Sequence, residues 1–151
     1  MTLPFEVGVV VRDLEVMERF YCEVIGCRAE RRSRVPRSVG GPAGLGGELV
    51  VVWVRVPSGG CVKLILPRSG PVPAPAAPWS AGRPGLSYLT FHVDDMDPVV
   101  AALSATGARP LSDPVVVRAH GRRISFWADP EGNVVELVDE RGGDLEPGRS
   151  N

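Results

Sequence analysis

The chain has 151 residues, 44% of them apolar, which is about one domain's worth of chain with enough hydrophobic material for an ordinary core. Lys plus Arg number 17 and Asp plus Glu 18, so the net charge of −1 leaves no basic excess to bind nucleic acid or an anionic membrane. Apolar runs such as Gly8–Val11 and Leu49–Val54 are strand-length and too short to cross a bilayer, and three cysteines without a CxxC pair argue against a disulfide framework or a Cys-based zinc site.

Taken from its start, Met1-Thr-Leu-Pro-Phe-Glu lacks the charged-then-apolar pattern of a signal peptide, and the chain reads as cytoplasmic. The β-rich run Glu6–Val11 ends at Asp13, placed to cap a helix. Leu14, Met17, Phe20, Tyr21 and Val24 then recur at three- and four-residue steps, giving one buried helical face, and Gly26 ends it. Three strands are predicted next, at about Arg28–Arg34, Glu48–Val56 and Cys61–Leu66, the last two joined by the turn Pro57-Ser-Gly-Gly. The glycine-rich stretch Val39–Gly47 lacks the Gly-Lys-Ser/Thr ending of a phosphate loop and reads as a flap over a pocket or a solvated hairpin tip. Pro67–Gly85 carries six prolines and reads as a stiff connector.

The second half repeats the first. Tyr88-Leu-Thr-Phe-His-Val-Asp-Asp-Met-Asp aligns with Glu6-Val-Gly-Val-Val-Val-Arg-Asp-Leu-Glu at a spacing of 82 residues, and Gly107 matches Gly26 at 81. Asp97 is placed to cap the second helix, with Pro98 in its first position and Gly107 at its end. Strands follow at about Pro114–Ala119, Arg122–Trp127 and Asn133–Val138, with Asp129-Pro-Glu-Gly132 a strong turn. The expected class is α+β: two paired βαβββ modules (residues 4–66 and 86–138) forming a curved mixed sheet around a pocket in one domain of residues 1–140, followed by a disordered tail over 141–151.

Val11-Arg-Asp-Leu-Glu, Phe20-Tyr21, Val24-Ile-Gly26 and Phe126-Trp-Ala-Asp-Pro-Glu-Gly-Asn133-Val-Val-Glu-Leu137 together resemble the vicinal oxygen chelate superfamily, over about residues 4 to 138. That superfamily includes glyoxalase I, extradiol dioxygenases and bleomycin-resistance proteins. The resemblance implies the paired βαβββ fold and a homodimer. In its metal-dependent members, two histidines and a carboxylate come from the first strand of each half and from the last strand. The matching positions here are Glu6, Tyr88 and Glu136, with Ile65 as the repeat mate of Glu136, so neither histidine is kept. Because one superfold hosts many chemistries, function has to be read at the site.

Strand alternation places Tyr88, Thr90 and His92 on one face, and Lys63 with Ile65 on another. Catalytic candidates are Glu6, Tyr88, Glu136 and His92. Ligand-binding candidates are Thr90, Lys63, Ile65, His120 and the tryptophans Trp53, Trp79 and Trp127, which suit stacking on a planar ligand. Lys63 is the only lysine, so Schiff-base chemistry would rest on it alone.

Three functional readings stay open. In the lead reading, two carboxylates in a partly apolar cavity repel, one titrates high as acid or base, and Tyr88 donates to an oxyanion. That is an enzyme of specialised metabolism isomerising, cyclising or eliminating next to a carbonyl, with no cofactor. A non-catalytic protein that sequesters an antibiotic or metabolite is the second. A lyase or oxygenase using Mg²⁺ or Mn²⁺ on the oxygens of Glu6, Tyr88 and Glu136 is the third. All three take a small molecule as partner.

Overall fold

The computed structural model describes residues 5–73, 81–82, 84–113, 116–117, 121–139 and 141. The chain divides into two compact units, residues 1–78 and 79–151, and each holds one βαβββ module.

In the first unit, strand β1 (Glu6–Val10) leads to helix α1 (Leu14–Arg19), which continues as a π-helical turn over Phe20–Val24. Asp13 caps the helix as expected, its carboxylate accepting from the backbone N–H of Val16 at 3.0 Å. The wider π winding is closed by the Ile25 N–H on the Phe20 carbonyl at 3.2 Å. It displaces the apolar face by one residue, so Ile25 is buried where the helical period had placed Val24. Three strands follow, β2 (Arg28–Val35), β3 (Leu49–Arg55) and β4 (Cys61–Pro67), and the sheet order is β1-β4-β3-β2 with β1 parallel to β4. The expected glycine-rich loop begins with a one-turn helix, α2 (Arg37–Gly40). A side chain at Gly40 would meet the Gly47 carbonyl oxygen at 1.9 Å, so the two ends of this loop pack closely against each other.

The second unit repeats the pattern with β5 (Tyr88–Val93), α3 (Met96–Ala105), β6 (Val116–Val117), β7 (Arg123–Ala128) and β8 (Val134–Asp139), in the order β5-β8-β7-β6. The N-cap is Asp95, not Asp97, and Pro98 stands third in the helix. Two carboxylates compete for this helix start and decide it. Asp95 accepts from the Asp97 N–H at 3.0 Å, and Asp139 accepts from the Met96 N–H at 3.1 Å. Gly26 and Gly107 sit just beyond the helices with φ of +91° and +73°, the left-handed turn that ends a helix and favours glycine. The Asp129–Gly132 turn is knitted by Asp129 itself, which accepts from the N–H groups of Glu131 and Asn133 and from the Asn133 side-chain amide at 2.8–3.0 Å.

Each helix covers one face of its own sheet. In the first unit Met17, Tyr21, Val52, Val54, Val62 and Leu64 are essentially fully buried, and in the second Phe91, Met96, Leu103, Val135 and Leu137 are. A buried aliphatic or aromatic side chain contributes about 1.5–3 kcal/mol, so these packed faces are what fixes strand register. The opposite sheet faces carry the polar candidates. Trp79, His120, the middle of the proline connector (74–80) and the tail beyond Arg141 lie outside the described residues. Among the described residues, no helix is long and apolar enough to cross a membrane.

Candidate functional site

On the second sheet, Tyr88 pairs with Val134, Thr90 with Glu136 and His92 with Val138, while Phe126 flanks Glu136 from β7. Tyr88, Thr90, His92, Phe126 and Glu136 therefore share the face that α3 does not cover. The Thr90 hydroxyl donates to Glu136 Oε2 at 2.6 Å. Glu136 is 8% exposed, whereas Tyr88 is 48% exposed. The Tyr88 ring stands edge-on to Phe126, with centroids 5.5 Å apart and planes at 88°. A half-wet face thus holds a carboxylate oriented by a hydroxyl, an aromatic wall and a phenol at the rim. No described residue engages the other oxygen of Glu136 or the Tyr88 hydroxyl.

On the first sheet, the ammonium of Lys63 lies 3.2 Å from Glu6 Oε2. Lys63 is the direct cross-strand neighbour of Trp53, and Trp53 of Arg31. The Arg31 guanidinium lies over the Trp53 ring, 3.8 Å from its centroid. Ile65 belongs to this same face and fills the space above Gly8, where an added side chain would meet its Cδ1 at 3.0 Å.

The sheet registers correct the repeat alignment of the last strands. Thr90 opposes Glu136 in the second unit, and Gly8, its counterpart in the first, opposes Lys63. The mate of Glu136 is accordingly Lys63, not Ile65. One row reads Gly8–Lys63–Trp53–Arg31, and the equivalent row reads Thr90–Glu136–Phe126. The two β-turns are equally long, five residues between Arg55 and Cys61 and five between Ala128 and Val134, so strand pairing and not turn length sets the correct match.

Structure separates the sequence candidates into groups. Tyr88, Thr90, His92 and Glu136 come together on one sheet face, and Glu6, Lys63, Ile65 and Trp53 on the other. Trp127 does not join either group: it is 2% exposed on the helix-covered face, and its indole N–H donates to the Ser125 hydroxyl at 2.7 Å. Period-two alternation places it opposite to Phe126, which is why it packs in the core and stacks on no ligand. Arg31 and Phe126 were missed as site residues. The alternation of β2 and β7 contained the signal, but register was needed to read it.

A model of the Glyoxalase/Bleomycin resistance protein/Dioxygenase superfamily matches residues 5–126. The chain belongs to that superfamily. It is 26% identical over 139 residues to the uncharacterized protein YaeR of Escherichia coli (strain K12), covering 89% of this chain and 93% of that one. A crystal structure of a glyoxalase family protein from Bacillus cereus is 26% identical with a TM-score of 0.76, covering 89% of this chain and 91% of that chain. A glyoxylase/bleomycin resistance protein/dioxygenase domain from Frankia sp. EAN1pec aligns with a TM-score of 0.71 at 21% identity, covering 95% and 94%.

The segment Asp129 to Asn133 is a turn held by the Asp129 carboxylate. The metal set of the metal-dependent members does not fit the donors present. Glu6 is neutralised by the Lys63 ammonium, which would repel a divalent cation, and the Tyr88 position offers a neutral phenol. Among the described residues, no three His, Cys, Asp or Glu side chains gather as a metal site, and the cysteines Cys22, Cys27 and Cys61 are free. Burial pushes the Cys27 thiol up to about 12, with Cys22 and Cys61 nearby adding to the rise.

Proposed function

We propose that this superfamily member is a small-molecule enzyme of specialised metabolism that performs acid–base chemistry next to a carbonyl without a metal centre. The observation that carries the reading is the Thr90–Glu136 hydrogen bond at 2.6 Å on a face left open by the helix, with Tyr88 on the same face. A carboxylate held in one orientation by a hydroxyl is the arrangement a general base needs. The substrate is a carbonyl compound with a largely apolar frame that packs against Phe126. Glu136 takes the proton from the carbon next to the carbonyl. The C–H electron pair moves into the new C=C bond as the carbonyl oxygen becomes an oxyanion, which accepts a hydrogen bond from the Tyr88 hydroxyl. Return of that proton to either face or to a conjugated carbon gives epimerisation or isomerisation. Expulsion of a β-substituent gives elimination, and attack on a second carbonyl gives cyclisation. Glu6 serves this reading by holding Lys63, not as a second base. The working unit is taken to be a cytoplasmic homodimer.

Deuterium exchange at the carbon next to the carbonyl tests the reading, followed by proton NMR in D₂O with EDTA over a set of alkyl and aryl ketones. Wild-type protein should exchange above background, and Glu136→Gln should lose about 10²–10⁴-fold of that rate. Exchange abolished by EDTA would overturn metal independence. Ketone binding without exchange would support the second reading, a protein that sequesters an antibiotic or metabolite. That reading draws on the solvent-facing aromatics Tyr88 and Trp53.

A further inference from the structure

We propose that the open face of the first sheet carries an anion-binding subsite, formed by Arg31, Trp53 and Lys63, for the carboxylate of an aromatic organic acid. The strands of this sheet hold five arginines, and four of them have a carboxylate partner: Arg28 and Arg55 share Glu30, Arg32 meets Glu18, and Arg34 meets Glu48. Arg31 alone has no carboxylate among the described residues, although Glu30 is its chain neighbour. Its guanidinium lies instead on the indole of Trp53, 3.8 Å from the ring centroid.

That posture has a chemical consequence. A guanidinium held over an aromatic ring is restrained before any ligand arrives, and its planar N–H fork remains available for a bidentate acceptor. A carboxylate matches that fork with two parallel hydrogen bonds, whereas a lone ammonium offers only a point charge. Beyond Trp53 in the same register row stands Lys63, paired with Glu6 at 3.2 Å. Arg31, Lys63 and Glu6 together leave one net positive charge on the row, so an anion of single charge is the complement. Trp53 is only partly covered, which gives an aromatic ring attached to that carboxylate a surface to pack on. This subsite lies entirely within the first unit and is independent of Glu136, so exchange activity and anion binding can fail separately.

Titration calorimetry of the full chain with 2-naphthoate and with its neutral isostere 2-naphthamide tests the subsite. Naphthoate should bind about tenfold more tightly than the amide, and its affinity should fall as salt rises. Arg31→Met keeps a linear side chain over the indole at an exposed position and should weaken naphthoate binding by about tenfold while leaving amide binding unchanged. Arg31→Lys should recover only part of the loss, because it restores charge without the planar fork. Trp53→Phe keeps a ring for folding and should weaken both compounds. Equal affinity for acid and amide, naphthoate binding indifferent to Arg31→Met, or no naphthoate binding by the wild-type chain would each overturn the proposal.

Discussion

Glu136 occupies a nearly buried position on β8, where its carboxylate accepts from the hydroxyl of Thr90. Removing that donor alone leaves a carboxylate without compensation, while removing both groups leaves nothing to satisfy. Thr90→Val should therefore cost about 1–3 kcal/mol in urea unfolding, Thr90→Ser should restore most of it, and Thr90→Val with Glu136→Leu should cost less than Thr90→Val alone. A Thr90→Val cost within error of zero would show that the bond does not orient Glu136. The candidate residues were legible in the sequence because a carboxylate within Asn133-Val-Val-Glu-Leu-Val is an unusual component of a strand. Their partners were not legible. The Lys63–Glu6 ion pair and the Thr90–Glu136 hydrogen bond follow from strand register, which pairing between strands distant in sequence sets.

Helix α3 begins where Asp139 lets it begin. Asp139 is 1% exposed and accepts from the Met96 N–H, from the Arg141 N–H and from the guanidinium of Arg123. Burial acts to raise its carboxyl, but these donors outweigh burial and hold it well below the usual carboxylate range. The last strand thereby anchors the helix of its own module through one side chain. Asp139→Asn should cost about 3 kcal/mol, read as a lower urea midpoint with unchanged slope, because it leaves Arg123 facing Asp97 alone at 2.8 Å. Sequence periodicity located α3 and its glycine stop but misplaced its cap by two residues. Asp95 takes the Asp97 N–H from within the local sequence, while the acceptor for the Met96 N–H, Asp139, lies on a strand more than forty residues away.

At the scale of the molecule, several carboxylates are held below their ordinary range. Asp139 is one. Glu30 is lowered to about 2 by its hydrogen bonds from Arg55, against an opposing effect of burial and with further help from Arg28. Glu48 is lowered by Arg68 and then Arg34. A group whose folded value is depressed contributes stability that is present above its unfolded value and lost as pH falls toward the folded one. The unfolded values lie near pH 4, so urea midpoints at pH 7 and pH 5 should nearly agree and the midpoint at pH 3 should be lower. Glu30 and Glu48 are solvent-exposed ion pairs and contribute little, so Asp139→Asn should remove most of this acid dependence. A midpoint unchanged between pH 7 and pH 3 would contradict the assignment.

The sequence by itself determined the fold class, the two-module repeat and the helix stops at Gly26 and Gly107, since periodicity and turn chemistry are local properties. Tertiary structure decided what those positions do. It paired Glu6 with Lys63, turned Glu136 toward Thr90, buried Trp127 and laid Arg31 on Trp53. Each of these outcomes depends on which residues lie side by side across strands. Long-range pairing sets that through the core packed beneath them, and no stretch of the chain contains it alone.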